Sequence, residues 1–162
     1  MVISDLVEQF VKGTVRVMET MARMTPAVDT PYDKRPGSPS GDVTGVVGFM
    51  GGKHAGSVAV TFSAPCIKAA LSNMLGEEVT ELGPELLDAV GELTNMISGA
   101  VRVEISNSMG LELEAGIPTV ICGQGHIVSH AANTSVLVIP FTTEHGAFCI
   151  EACFKEAKPR RE

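Results

Sequence analysis

Apolar residues recur at helical spacing near the start of the chain, at Ile3, Leu6, Val7, Phe10, Val11, Val15, Val17, Met18 and Met21. The spacing predicts a helix over Val2–Met24, opened by Ser4 or Asp5 and stopped by Pro26. Residues 25–42 hold prolines at 26, 31, 36 and 39, with Gly37 and Gly41. They read as an irregular loop, long for a compact domain. Two stretches rich in Val, Thr and Phe then flank Gly51-Gly52, Asp42–Met50 and His54–Ser63, and predict a β-hairpin. Ser63 and Pro65 open a short helix over 64–75 that stops at Gly76. Pro84 opens a second long helix, running to about Ser108 before Gly110. Its expected buried stripe is Leu86, Ala89/Val90, Leu93, Ile97, Ala100/Val101 and Val103. Four strand-like stretches follow, Ile117–Cys122, His126–His130, Ser135–Thr142 and Ala147–Lys155, with Glu144-His145-Gly146 turning the last hairpin. The domain is expected to span 1–156, with a polar tail over 157–162.

The two long helices share a short internal repeat. Lys12-Gly13-Thr14-Val15-Arg16-Val17 matches Ser98-Gly99-Ala100-Val101-Arg102-Val103, and each helix is followed by a hairpin. A duplicated helix-plus-hairpin unit predicts an α+β fold of two pseudo-symmetric halves sharing one mainly antiparallel sheet, with two long helices packed on it.

Composition narrows the functional classes. Apolar residues make up 44% and charged residues 19% of 162, enough to bury a core. The net charge of -7 argues against nucleic acid or an anionic membrane as the main partner, because both need clustered Lys and Arg. No apolar run approaches the ~18 residues that span a bilayer. The first residues have no charged-then-apolar leader layout. The four cysteines, 66, 122, 149 and 153, are too few and too apolar in context for a disulfide framework. A cytoplasmic protein with reduced thiols is expected. Cys149 and Cys153 share a strand face, but without a Cys-x-x-Cys pair no metal site is expected, and buried free thiols are the default. The glycine-rich pieces lack the Gly-Lys-Ser/Thr of a phosphate loop.

The second long helix breaks its own rules at Asp88-Ala-Val-Gly-Glu92-Leu-Thr-Asn95. Positions 88, 92 and 95 fall within roughly 60° of one another, opposite the buried stripe. Asp88 and Glu92 repel at i, i+4. Thr94 and Asn95 are poor mid-helix residues, and Gly91 costs ~1 kcal/mol relative to Ala. Such local sacrifice tends to mark a functional site. The competing reading is a solvated acidic face, with Gly91 and Gly99 serving close packing.

At these residues the chain resembles the CheC/CheX/FliY family of response-regulator phosphatases. The family signature is Asp or Ser, three residues, Glu, two residues, Asn, then twenty-two residues and Pro. Asp88, Glu92, Asn95 and Pro118 keep every spacing. Gly-Glu-Leu-Thr-Asn-Met-Ile-Ser-Gly around the site, Ile-Pro-Thr-Val-Ile after the helix and Asp-Val-Thr-Gly-Val-Val-Gly-Phe-Met-Gly-Gly in the hairpin are also similar to the family. Aligned on the internal repeat, Glu92 falls opposite Leu6 and Asn95 opposite Gln9. The first helix thus lacks the carboxylate, which favours one site per chain, the CheX-type arrangement.

The resemblance implies the substrate, an aspartyl phosphate on a phosphorylated CheY-like receiver domain that brings its own Lys and Mg²⁺. No cofactor is expected on this chain. Asn95 would orient the attacking water, and Glu92 would pair with the receiver's active-site Lys. Asp88 is expected to support Glu92 or meet the partner, and Pro118 to shape the start of a strand. Family relatives also imply a homodimer joined edge to edge. The alternative is a non-catalytic module docking on receivers or flagellar switch proteins.

Overall fold

The computed structural model describes residues 2–130 and 134–156. The expected tail over 157–162 lies outside the described residues. The elements are a 3₁₀ turn (Ile3–Leu6), α1 (Val7–Thr20), β1 (Ala27–Val28), β2 (Tyr32–Asp33), β3 (Gly41–Gly51), β4 (His54–Phe62), α2 (Ala64–Leu75), α3 (Pro84–Met109), β5 (Glu114–Ala115), β6 (Thr119–His126), β7 (Leu137–Thr143) and β8 (Gly146–Glu156). All strand pairs are antiparallel, in the order β1-β7-β8-β4-β3-β5, with β2 also on β7 and β6 also on β3.

The order carries the duplication expected from the repeat. β4 and β8 lie side by side at the centre, from Phe62↔Phe148 to His54↔Glu156. Each half gives its two remaining strands to the other half's hairpin: the two-residue β1 and β2 pair with β7, and the two-residue β5 and eight-residue β6 pair with β3. α2 joins the halves. Ser63 Oγ accepts from the Cys66 N–H, Asp42 Oδ2 accepts from the Ala64 N–H, and Gly76 closes the helix at φ +70°.

One sheet face carries the core. Val43, Val47 and Phe49 of β3 meet Val58, Val60 and Phe62 of β4. Ile139, Phe141, Phe148 and Ile150 extend the layer under the helices, which contribute Phe10, Met18, Leu93 and Ile97. Each fully buried large side chain is worth about 1.5–3 kcal/mol, so this layer dominates the fold's stability. α1 crosses α3 at Gly13, where a Cβ would stand 2.6 Å from the Val101 backbone nitrogen. Arg16 pairs with Glu104 across the same contact.

Several expectations need correction. The first helix ends at Thr20, not Met24, because Arg23 takes a left-handed φ of +51° and the Met24 N–H turns back to Met18 O. The segment 25–42 is not wholly irregular, since β1 and β2 pin it to β7. Ile117–Cys122 and His126–His130 are not two strands. Residues 119–126 form one strand on β3, and residues 127–130 leave the sheet edge. Val103 lies outside the buried stripe of α3 at 50% exposure, and Thr94 and Ser98 lie within it. Cys122 is exposed rather than in apolar surroundings.

Candidate functional site on the outward face of α3

The buried face of α3 is held on the sheet by an interlock one residue before the candidate site. Thr94 is fully buried, and its Oγ1 donates to Val90 O at 2.8 Å, the usual way for a helical threonine to satisfy its hydroxyl. Opposite it lies Gly45 of β3, where any Cβ would overlap the Thr94 side chain. The poor helix former is therefore accounted for by packing. Seated in that notch, Thr94 sets the rotation of the helix about its axis. Because successive residues differ by about 100°, Asn95 is turned outward.

Asp88, Glu92 and Asn95 are all exposed, on the side of α3 away from Val90, Leu93, Ile97 and Val101. Among the described residues no lysine, arginine or histidine pairs with Asp88 or Glu92. The Asn95 carboxamide is likewise uncommitted there, since only its backbone oxygen is engaged, accepting from Ser98 Oγ at 3.1 Å. The face offers two acceptor-only carboxylates and one amide with both donor and acceptor capacity.

Pro118 stands half-buried where β6 begins, beside Thr119, which pairs with Val46. Two residues on, Val120 packs against α3 at Gly91, with its Cγ2 3.6 Å from where a Cβ would be. That is ordinary contact distance, so neither Gly91 nor Gly99, whose added Cβ would meet only Arg102 at 3.9 Å, is required for close packing. The strand that Pro118 opens lies against the site helix. Its proline ring cannot donate to a ladder, which suits the first position before a strand.

The family model for the chemotaxis phosphatase CheX matches residues 43–142. The chain belongs to the CheX family. It is similar to a solved CheX from Desulfovibrio desulfuricans, with 40% identity over 93% of this chain and 99% of that one, and a TM-score of 0.86. A CheX from Vibrio vulnificus shares 32% identity, covers 93% of this chain and 99% of its own, and superposes with a TM-score of 0.87. A CheX from Borrelia burgdorferi, solved as a CheX–CheY–BeF3–Mg²⁺ complex, shares the fold at 19% identity, with a TM-score of 0.77 over 94% of this chain and 99% of that one. No curated protein matches the sequence.

Within this CheX-family chain the first helix has no counterpart of the α3 face. Leu6, opposite Glu92, is fully buried, and Gln9, opposite Asn95, is 8% exposed with its Oε1 unpartnered among the described residues. The positions that correspond to the site, Leu6 in the 3₁₀ turn and Gln9 in α1, are buried. No helix among the described residues is long and apolar enough to cross a membrane.

On the other face of the sheet the structure brings together residues that the sequence reading kept apart. His130, expected at a strand end, is joined to Glu151 of β8, Ser57 of β4 and Cys153 of β8, with Lys34 on the far side of Glu151. The available signal was Glu151 itself, a carboxylate in the middle of the otherwise apolar run Phe148–Cys153.

Proposed function

We propose that this chain hydrolyses the aspartyl phosphate of a phosphorylated CheY-type response regulator, through Glu92 and Asn95 of α3. The observation that carries the reading is the pair of uncommitted side chains, a carboxylate and an amide about one turn apart, on the outward face of a helix rotationally locked by Thr94 and Gly45. Membership of a family described as chemotaxis phosphatases and the CheY partner of the Borrelia relative support the choice of substrate.

An acyl phosphate is already a reactive anhydride. Phosphoryl transfer from it needs positioning and charge stabilisation more than a nucleophile supplied by the enzyme. Asn95 Oδ1 accepts a hydrogen bond from the attacking water, and Nδ2 donates to a phosphoryl oxygen. The water oxygen forms its bond to phosphorus as the bond from phosphorus to the aspartyl oxygen breaks, leaving inorganic phosphate and the receiver's free carboxylate. A carboxylate beside a phosphate repels it, so Glu92 needs a cation between, and the receiver's lysine supplies one. Asp88, one turn before Glu92, adds negative potential for the same lysine. Pro118 fixes the start of the strand beside the helix. The receiver brings the Mg²⁺ that neutralises the phosphoryl oxygens.

The test is phosphate release from a CheY-type receiver charged with a small phosphodonor in excess Mg²⁺. Wild type accelerates release. Asn95→Ala loses about 10²-fold or more, by analogy with removing one positioned amide. Glu92→Ala raises the receiver concentration needed for half-maximal rate about tenfold, equivalent to ~1.4 kcal/mol. Binding without acceleration by wild type would instead make the chain a docking module.

The same reading includes a homodimer joined edge to edge. β6 closes one side of the sheet beside β5 and exposes Ile121, an edge that a second copy can extend. Elution at twice the monomer mass is the expected outcome.

A further inference from the structure

The sheet face away from the helices holds a polar cluster that phosphate release does not use. Glu151 is 1% exposed. Lys34 Nζ donates to its two carboxylate oxygens at 2.9 and 2.7 Å and also to Val128 O. His130 Nε2 lies 2.7 Å from Glu151 Oε2. That contact keeps a proton on Nε2 and turns Nδ1 toward β4 and β8. Nδ1 is 2.9 Å from Ser57 Oγ and 3.7 Å from Cys153 Sγ, and Ser57 Oγ is 3.2 Å from the same sulfur. A carboxylate thus orients an imidazole, which faces a hydroxyl and a thiol, the arrangement that activates nucleophilic cysteines.

The thiol borders a cavity of about 230 Å³ lined by Ala55, Gly56, Ser57, Thr134, Cys153 and Lys155. Burial pushes the Cys153 thiol up, but hydrogen bonds from His130 and Ser57 outweigh it and bring the group down to about 7. Hydrogen bonds to Cys153 and Glu151 raise His130 to about 9. Burial drives the other interior thiols the opposite way, Cys66 to about 11 against a hydrogen bond from Thr143, and Cys149 to about 12 with the Glu151 charge adding and Lys34 opposing. Among the described residues, the charged and titratable groups around the sulfur are His130 from the segment after β6, Glu151 and Lys155 on β8, and Lys34 after β2. Cys149 is the next thiol along the same face.

We propose that Cys153 is a modification site, a thiolate paired with the His130 imidazolium that is oxidised by small hydroperoxides entering the cavity beside it. The sulfur attacks the terminal oxygen of the hydroperoxide. A sulfur–oxygen bond forms as the oxygen–oxygen bond breaks, the departing alkoxide or hydroxide takes the proton from His130, and the products are a sulfenic acid and an alcohol or water. The sulfur is oxidised and the peroxide reduced, with no further reactant. Ser57 and Thr134 offer hydroxyls in the lining, and Lys155 brings the one cationic side chain among the lining residues.

The experiment treats the full-length protein with hydrogen peroxide at pH 7, traps sulfenic acid with a dimedone reagent, and reads each cysteine by peptide mass spectrometry. Cys153 is expected to be labelled first, ahead of the exposed Cys122 and well ahead of Cys149. In a parallel alkylation series from pH 5.5 to 9.5, Cys153 reactivity should reach half its plateau near pH 7, while Cys149 is still rising at the top of the range. His130→Gln should move that midpoint upward by a unit or more, a loss of about tenfold in thiolate fraction well below the midpoint. The wild-type comparison needs no variant, so a misfolded mutant does not remove the test. Cys153 labelling no faster than Cys149, or a Cys153 pH midpoint at or above the ordinary thiol value of about 8.5, would overturn the proposal.

Discussion

α1 and α3 are the duplicated helices of this protein, and they use the same register in opposite ways. At an offset of 86, the spacing from Lys12 to Ser98, Leu6 corresponds to Glu92 and Gln9 to Asn95. Leu6 in the 3₁₀ turn and Gln9 in α1 are both buried; in α3 the corresponding pair faces outward. Gly13 and Gly99 occupy one repeat position, yet a Cβ at Gly13 would stand 2.6 Å from the α3 backbone, whereas one at Gly99 would meet only the Arg102 side chain at 3.9 Å. Each half supplies a helix and a hairpin to a shared sheet, but the helices are rotated differently on it. The two halves share a frame, but only α3 presents this register as an exposed polar face, while the first helix uses it for core contacts.

Substitutions at corresponding positions test that comparison. Leu6→Glu restores the missing carboxylate to α1 but places a charge at a fully buried site. It should cost at least about 4 kcal/mol and abolish cooperative unfolding in a urea titration, without adding a second site. A stable Leu6→Glu variant would show that α1 can turn its register outward. Next in size is the contrast between Asn95→Ala, with its loss of about 10²-fold in phosphate release, and Gln9→Met. Gln9→Met should leave release unchanged, and stability unchanged or slightly improved, because it removes a buried unpartnered amide oxygen at similar volume. Third, Gly13→Ala should lower stability by about 1–3 kcal/mol, since a methyl there meets backbone that cannot swing aside. The smallest effect is expected at its repeat partner. Gly99→Ala should raise the urea midpoint by an amount worth up to ~1 kcal/mol, the propensity gain of a helical alanine in open space. Equal effects at Gly13 and Gly99 would show that the two helix faces are interchangeable.

The outer-face cluster gives no comparably simple stability test. A raised His130 favours the fold below its unfolded range near 6.5, and that contribution is lost as pH rises through about 9. A lowered Cys153 works in the other direction, favouring the fold above about 9 and losing that contribution as pH falls through about 7. Between about 7 and 9 the two slopes oppose each other, so stability is nearly level while thiol reactivity still reports the pair.

Much of the molecule was legible in the chain. α2 begins and ends where Ser63, Pro65 and Gly76 indicate, and the turn at Gly52-Lys53 follows from Gly51-Gly52. The spacing of Asp88, Glu92 and Asn95 placed them on one outward face because helical period is a local property. Two-residue strands such as β1 and β2 carry no period of their own and form only because β7 offers them a free edge. The end of α1 depended on a left-handed Arg23, a residue type with no strong preference for that conformation.

By itself, then, the sequence determined what depends on neighbours a few residues apart: helix faces, caps, hairpin turns and the duplication. Only the tertiary structure decided that Thr94 serves packing through Gly45, that the first helix buries the register α3 exposes, and that His130 meets residues 73, 21 and 23 positions away at Ser57, Glu151 and Cys153. Those contacts are set by strand order and sheet closure, in which residues far apart in the chain are brought together by hydrophobic burial that no local pattern encodes.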